Sequence, residues 1–126
     1  MKYLVILAFV LVGQICLSQT VQIPDANFEQ ALIDLNIDSD ETLNGQLLKS
    51  DAQLVTFLDI SNKNIKDLSG IEAFSSLIYF HCSDNEISEM DLRQNIALIN
   101  VLSDVTDAKT SFTNISPMFP ISINYN

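Results

Sequence analysis

Few residues of this chain carry the chemistry of catalysis or metal binding. His81 is the only histidine, and it stands beside Cys82, one of two cysteines. A thiol in contact with an imidazole would form a nucleophile and its base. In the short strand predicted here, however, adjacent side chains point to opposite faces. We therefore predict no Cys–His dyad, a buried structural thiol at Cys82 and no enzymatic activity. Zinc would need three or four ligands, which this pair does not supply, and no metal or cofactor is predicted.

A second candidate for chemistry is an acidic stretch that follows the first predicted helix. Carboxylate and amide oxygens are the ligands that calcium prefers, so a calcium site is one interpretation. In the register of an EF-hand loop that begins at Asp34, however, Ser39 replaces the required glycine and Gly45 replaces the bidentate glutamate. We therefore predict a solvated acidic turn and keep calcium as the alternative. The residues concerned are Asp34, Asn36, Asp38, Asp40 and Glu41.

The overall charge argues against two classes of partner. The 126 residues include 16 acidic and 6 basic side chains, which gives a formal net charge of −10. Proteins that bind nucleic acid need a basic stripe to displace phosphate counterions, and an anionic membrane surface makes the same demand. We predict neither as a partner. The length leaves room for one domain.

Residues 1–18 (MKYLVILAFVLVGQICLS) have the three regions of a secretory signal peptide, with Lys2, an apolar run over residues 3–12, and a small or polar end. A bilayer needs about 20 apolar residues, so a membrane anchor is the weaker alternative. A lipoprotein site at Cys16 is weaker still, because the residues before it do not form a lipobox. We predict cleavage after Ser18 and a secreted or cell-surface protein. Cleavage would leave 16 acidic and 5 basic residues, a net charge of −11, and Cys82 without an intramolecular disulfide partner.

The clearest regularity of the chain is a repeat of 22 residues, carried by four apolar positions. The second copy, LIYFHCSDNEI at residues 77–87, fits the leucine-rich-repeat pattern LxxLxLxxNxL. Its Asn85 is expected to bond backbone groups that are left unpaired where the chain turns, whereas Lys63 occupies that place in the first copy. Coils of this kind stack, and each buries the apolar side of its neighbour. The four positions are Leu58, Ile60, Ile65 and Leu68, which recur as Phe80, Cys82, Ile87 and Met90.

A third copy begins at Leu98 and is degenerate. Val101 and Ser103 take its strand positions, and Thr106 and Ala108 take the later ones. Beyond Ala108 the register is lost. About three copies are usually needed for a stable array, so two clear copies and a poor third predict a short or truncated member.

The predicted fold class is α/β, a short leucine-rich-repeat solenoid with parallel strands on the concave face and loops or 3-10 turns on the convex side. An N-terminal helical cap over residues 19–53 covers the first coil, with a helix over about residues 24–35 that Asp25 caps. Asn44 and Gly45 predict a tight turn or small hairpin within this cap. Residues 54–108 form the repeats, and residues 109–126 are predicted to be an irregular tail. The apolar helix face consists of Phe28, Ala31, Leu32 and Leu35.

Three segments together resemble the secreted leucine-rich-repeat proteins of bacteria, particularly those of the Bacteroidota. They are IPDANFEQALIDL in the cap, LDISNKNIKDLSGIEAF in the first copy and LIYFHCSDNEISEMDLRQNIAL in the second. The resemblance covers residues 23 to about 101. It implies an exported protein, often surface-attached or adhesive, whose curved sheet binds protein or glycan ligands.

The candidate binding surface consists of the outward positions of the strands. In the predicted register they form three columns across the sheet, and exposed aromatic area beside acids and hydroxyls is typical of recognition surfaces. The alternative for the aromatic side chains is that they only shield the sheet. A second functional interpretation is a structural fragment without its own ligand, which self-associates through an open edge. The candidate ligand-binding residues are Phe57, Asp59, Ser61, Tyr79, His81, Ser83 and Asn100; Leu102 and Asp104 complete the columns.

Overall fold

The computed structural model describes residues 19–105, 107–109 and 122–124; for the last two segments it describes the backbone. The predicted signal peptide lies outside the described residues. No helix in the described part is long and apolar enough to span a bilayer. In chain order the elements are β1 (Thr20–Gln22), α1 (Ala26–Asp34), β2 (Gln46–Leu48), α2 (Lys49–Gln53), β3 (Phe57–Asp59), a 3-10 turn (Ile71–Ala73), β4 (Tyr79–His81), β5 (Glu89–Asp91), β6 (Asn100–Leu102), β7 (Asp107–Lys109) and β8 (Ser122–Asn124).

A four-stranded parallel sheet in the order β3, β4, β6, β8 forms the main surface. Leu58 pairs with Phe80 and Phe80 with Val101, so the strands follow the spacing of the sequence repeat. These three side chains are 1%, 2% and 1% exposed. The period-two alternation of a strand therefore places the repeated apolar residues in the core, as predicted.

The tail prediction is wrong for residues 122–124, because β8 pairs in parallel with β6 and places Ile123 opposite Val101. That spacing is again 22 residues. The backbone groups at the edge of β6 can pair with a strand of almost any composition. The side-chain pattern of residues 122–124 therefore does not predict β8. Residues 110–121, 125 and 126 lie outside the described residues.

The side of the chain that returns between the strands also differs from the prediction of loops and 3-10 turns. It contains a 3-10 turn at Ile71–Ala73, but β5 and β7 form a second, two-stranded parallel sheet there. Met90 pairs with Ala108, 18 residues later, whereas the sequence alignment placed Ala108 opposite Ile87. The third copy is therefore shorter on this side, and Val105, which is 3% exposed, takes the inward place that Ile87 holds in the second copy. Thr106, the predicted Asn-like position, is outside the described residues.

The helix α1 lies within the predicted range and begins as predicted. Asp25 is its N-cap, and its Oδ1 accepts from the backbone N–H groups of Asn27 and Phe28 at 2.9 and 3.1 Å. These two bonds satisfy donors that the first turn of a helix leaves free. The same face of the helix, with Phe28 and Leu32 both 0% exposed, is buried in the core, but Leu35 is 43% exposed.

A turn around Gly45 connects the helix to the rest of the N-terminal segment. Gly45 has φ +78°, which favours glycine, as the Asn-Gly pair predicts. The predicted local hairpin is wrong, because β2 pairs antiparallel with the distant β1. Glu29 explains the difference: its side chain is 2% exposed, and its carboxylate accepts from the N–H groups of Asn44 and Gly45 at 2.8 Å each. A buried carboxylate thus organises the turn from the helix side.

The N-terminal segment and the repeats share one core. Phe28 of the helix stacks on Phe74 with ring centroids 6.4 Å apart and an interplanar angle of 29°. Gly70 has φ +106°, and a Cβ there would lie 2.2 Å from Ile23 Cδ1 and 2.8 Å from Gln22 O. The chain after the first repeat strand therefore fits directly against the N-terminal strand.

Candidate functional site

The outward side of the four-stranded sheet carries the candidate site. We call its six described side chains the outer sheet face. They form two of the predicted columns, because Phe57 pairs with Tyr79 and Tyr79 with Asn100, while Asp59 pairs with His81 and His81 with Leu102. All six are at least partly exposed, unlike the inward residues between them. The outer sheet face consists of Phe57, Asp59, Tyr79, His81, Asn100 and Leu102.

Two aromatic side chains dominate the outer sheet face. Phe57 is 64% exposed and Tyr79 is 50% exposed, although both belong to strands whose next residues are fully buried. A depression of about 190 Å³ lies between them and the third strand, and His81, Asn100 and Leu102 contribute to its lining. A concave surface with aromatic walls and a few polar groups is typical of a binding site.

The second column of the face is polar. The Asp59 carboxylate lies 3.4 Å from His81 Nδ1 and accepts from the N–H and Oγ of Ser61 at 3.0 and 2.7 Å. Partial burial raises the pKa of Asp59, but the bonds from Ser61 and the neighbouring His81 outweigh it, so the net shift is downward. Asp59 is therefore ionised at neutral pH. Ser61 holds the Asp59 carboxylate in position, and its hydroxyl is directed at that carboxylate and not at a ligand.

The third predicted column is not a column of accessible side chains, because Ser83 is 3% exposed. Ser83 follows the end of β4, where the chain turns inward and the strict alternation of a strand ends. Its Oγ has no hydrogen-bond partner among the described residues. The prediction of Ser83 as a ligand-binding residue is therefore corrected.

Cys82 and His81 separate as predicted, with the histidine on the outer sheet face and the thiol 0% exposed in the core. Burial raises the pKa of the Cys82 thiol to about 11, and a hydrogen bond with Ser103 opposes the shift only in part. At neutral pH the thiol is protonated and inert. No dyad forms between the two residues.

The turn after β4 is held by Asn85, in the role predicted for it. Its Oδ1 accepts from the N–H groups of Lys63 and Ile65, at 3.0 and 3.1 Å, in the preceding coil. Its Nδ2 donates to Ile60 O at 2.8 Å and to Cys82 O at 3.0 Å. One side chain thus joins two successive coils and fixes the strands that present the outer sheet face.

Sequence reasoning missed a second asparagine of this kind on the returning side. Asn95 is 4% exposed, and its Nδ2 donates to Ile71 O at 2.8 Å and to Phe74 O at 3.1 Å. The signal was the segment LRQNIAL, where an asparagine stands between apolar positions that the structure buries. Polar residues in such positions usually bond backbone.

In the acidic stretch that was the candidate calcium site, carboxylates accept hydrogen bonds from nearby residues. Asp40 accepts from Thr42 N at 2.8 Å and from Asn44 Nδ2 at 3.0 Å, and Asp34 accepts from Gln30 Nε2 at 2.9 Å. Asp38 is 1% exposed; burial and the nearby carboxylates of Asp40, Glu29 and Asp51 raise its pKa. Within the described ranges no three or more histidine, cysteine, aspartate or glutamate side chains form a metal-binding group.

Comparison with known proteins finds a structural similarity but no sequence family. No protein-family model and no curated protein sequence matches the chain. The structure is similar to the functional domain of InlJ from Listeria monocytogenes, a leucine-rich-repeat protein whose solved structure includes a cysteine ladder. The TM-score is 0.59, the sequence identity is 26%, and the match covers 71% of this chain and 21% of that chain. The likeness supports a leucine-rich-repeat type of fold.

The cysteine ladder itself is not repeated in the part of this chain that the structure describes. Cys82 is the one cysteine among those residues. Ile60 and Ser103 take the corresponding strand positions of the neighbouring copies, and both are 0% exposed. The core column here therefore combines an aliphatic side chain, a thiol and a hydroxyl. The match spans about a fifth of the InlJ chain, so it compares a short array with part of a longer one.

Proposed function

We propose that this chain is an exported, non-catalytic leucine-rich-repeat module that binds a protein or glycan ligand at or outside the cell surface. In this proposal the parallel strands form the concave face of a short solenoid, and residues 19–53 form its N-terminal cap. The observation that carries it is the pair of aromatic side chains, 64% and 50% exposed, placed side by side on a regular sheet. Such area costs solvation free energy unless a partner covers it.

The non-catalytic part of the proposal rests on the surroundings of His81. Its neighbour is Asp59, and the hydroxyl of Ser61 donates to that same carboxylate. A hydrolytic triad needs the hydroxyl on the imidazole instead, so that the imidazole can accept its proton. The thiol of Cys82 is buried and protonated. The polar column is therefore suited to hydrogen bonding with a ligand.

The face is tested by binding of the purified protein to a glycan array and to immobilised extracellular matrix proteins. For whichever probe binds, the double variant Phe57→Ala, Tyr79→Ala is expected to bind at least about tenfold more weakly, because exposed aromatic anchors carry much of an interface's free energy. The melting temperature should stay within about 2 °C, since neither side chain belongs to the core.

Ile96→Ala is the matched control for this test. Ile96 is 75% exposed and lies outside the outer sheet face, so its truncation removes apolar area elsewhere and should leave binding unchanged. Unchanged binding of the double variant would contradict the proposed face. If the double variant loses its fold together with its binding, the two aromatic side chains shield the sheet and do not contact a ligand.

Export is tested separately from binding. When the full chain is expressed in a bacterium with a general secretion pathway, the mature protein is expected to begin at Gln19, after the small residue Ser18. Edman degradation or intact mass of the exported protein measures this directly. A protein that stays inside the cell with Met1 in place would refute the signal-peptide prediction.

Self-association is the second candidate. It is favoured by the edge of β3, which among the described strands has a neighbour on one side alone. Unpaired strand edges attract other strands. Two mature copies, each with 16 acidic and 5 basic residues and therefore a net charge of −11, would however repel one another. We therefore rank self-association below ligand binding; light scattering in the experiment below distinguishes the two.

A further inference from the structure

The edge of β3 has backbone groups that point away from the sheet. Ile60 N donates to His81 O at 2.9 Å, and Thr56 O accepts from Ile78 N at 2.8 Å. Alternate residues of a strand turn their N–H and C=O toward the same neighbour, so those of Phe57 and Asp59 turn away from β4. Within the described ranges β3 is the first strand of the sheet and pairs with β4 alone. The edge therefore offers donors and acceptors to an additional strand.

An apolar groove runs beside this edge. It has a volume of about 300 Å³ and separates the segment after α1 from the beginning of β3. Leu35 is 43% exposed in it, and Ile37 and Val55 are partly buried there. An extended segment that pairs with the edge would cover these side chains. The lining consists of Leu35, Ile37, Val55, Thr56, Phe57 and Asp59.

The charge around the groove selects the partner. Its lining contains one acid, Asp59, whose side chain is 42% exposed, and no basic residue. The segment that borders it, residues 34–41, carries three exposed acids, Asp34, Asp40 and Glu41, and no lysine or arginine. A basic segment is attracted to such a surface, whereas a second copy of this acidic chain is not.

We propose that the free edge of β3 binds an extended basic segment of a partner protein, which adds a parallel or antiparallel strand to the four-stranded sheet. The backbone of the segment bonds Phe57 and Asp59, as in other strand additions. A lysine or arginine beside Asp59 meets its carboxylate, and an apolar side chain enters the groove. The site goes beyond the proposed function because it uses the backbone edge of β3 and the groove beside it. It shares Phe57 and Asp59 with the outer sheet face, but not Tyr79 or the residues of the third strand.

The probe is a short acetylated and amidated peptide in which valine and lysine alternate, labelled for fluorescence anisotropy. It supplies strand propensity, apolar side chains on one face and positive charge on the other. We expect it to bind the intact protein, and the same peptide with glutamate for lysine to bind at least about tenfold more weakly. Equal binding of the two peptides, or no binding of the lysine peptide, would overturn the proposal.

Two variants of Phe57 separate the backbone from the side chain. Phe57→Ala keeps the N–H that points out of the sheet, whereas Phe57→Pro removes it; a proline is tolerated where the N–H of an edge strand faces solvent. We expect the lysine peptide to bind the proline variant at least about fivefold more weakly than the alanine variant. Equal affinity would overturn the proposal, with circular dichroism as the check on folding.

A second measurement needs no variant of the protein. Methylation of alternate peptide nitrogens removes the donors of the probe and should abolish binding to the wild-type chain. Retained binding would show that no strand is added.

Light scattering tests whether a second copy of the chain occupies the edge instead. Dimers of the wild type that the proline variant does not form would mean that it does, and this would refute the basic partner. Tyr79→Ala should leave peptide binding intact, so failure of the edge and failure of the outer sheet face are told apart.

Discussion

Asn85→Ala is expected to lower the free energy of unfolding by about 3 kcal/mol. Two carbonyls and two N–H groups lose their partner at once, and they belong to two different coils. Each unpaired buried group costs about 1 kcal/mol, and water can reach only some of them. Urea titration followed by circular dichroism measures the change.

Two further variants make this prediction specific. Asn85→Asp keeps the shape and the accepting oxygen but turns a carboxylate oxygen toward Ile60 O and Cys82 O. It should destabilise at least as much at neutral pH, and the loss should shrink as the pH falls, because a protonated carboxyl can donate again. Lys63→Ala removes an exposed side chain whose backbone N–H keeps its bond to Asn85; it should change stability by less than about 0.5 kcal/mol. A similar small effect for Asn85→Ala would refute the bridging role.

The sequence predicted those parts of the fold that rest on apolar periodicity. Leu58, Phe80 and Val101 are both repeated and buried, and burial of a strand's inward face fixes its register, since a slip of one residue would expose every such side chain. The columns of the outer sheet face follow from the same register. Asn85 was predictable because its place follows from a turn that needs both a donor and an acceptor.

The errors arise where backbone geometry, not burial, decides. Continuing the alternation of β4 beyond the end of the strand predicts an outward Ser83, whereas the residue is 3% exposed. Constant spacing aligns Ala108 with Ile87, but the returning part of the third copy is shorter, and Ala108 pairs with Met90. The strand β8 lies in a segment that carries prolines, and its pairing depends on the neighbouring strand edge.

The N-terminal segment contains a side chain that joins two elements which the apolar periodicity of the sequence treats separately. Asp25 was predicted as a helix cap, and its Oδ1 has that role. Its Oδ2, however, accepts from Lys66 N at 2.8 Å and from Asp67 N at 3.0 Å, in the turn after β3. The carboxylate therefore joins the helix to the first repeat, as Asn85 joins the first repeat to the second. Only the folded chain brings those residues within reach, since they are about 40 positions apart.

Asp25→Asn and Asp25→Ala are expected to separate these two roles. Asparagine is a good N-cap, so the first variant keeps the helix bonds but presents an NH₂ group to Lys66 and Asp67; we expect it to lose about 1 kcal/mol. Alanine removes the acceptors of all four N–H groups and should lose about 2 kcal/mol, a value reduced by the partial exposure of the site. Equal losses in the two variants, measured by urea titration, would show that the contact with the first repeat adds nothing.

The pH dependence of stability provides an independent test of the same carboxylate. Partial burial raises the pKa of Asp25, but the four backbone N–H donors outweigh it and hold the pKa below its ordinary value of 3.8. A depressed pKa stabilises the fold above the unfolded-state value, and that stabilisation is lost as the pH falls through the folded-state value. The wild type should therefore lose stability below about pH 4 more steeply than Asp25→Asn does.

Asp38→Asn is the control of opposite sign, because burial and the nearby carboxylates raise the pKa of Asp38. Its ionised form destabilises the fold at neutral pH, and protonation relieves that cost as the pH falls through the raised value. This variant should be as stable as the wild type or more so at pH 7, with an advantage that fades in acid. Parallel acid profiles for Asp25→Asn and the wild type would refute the link between helix and repeat, whatever the result for Asp38.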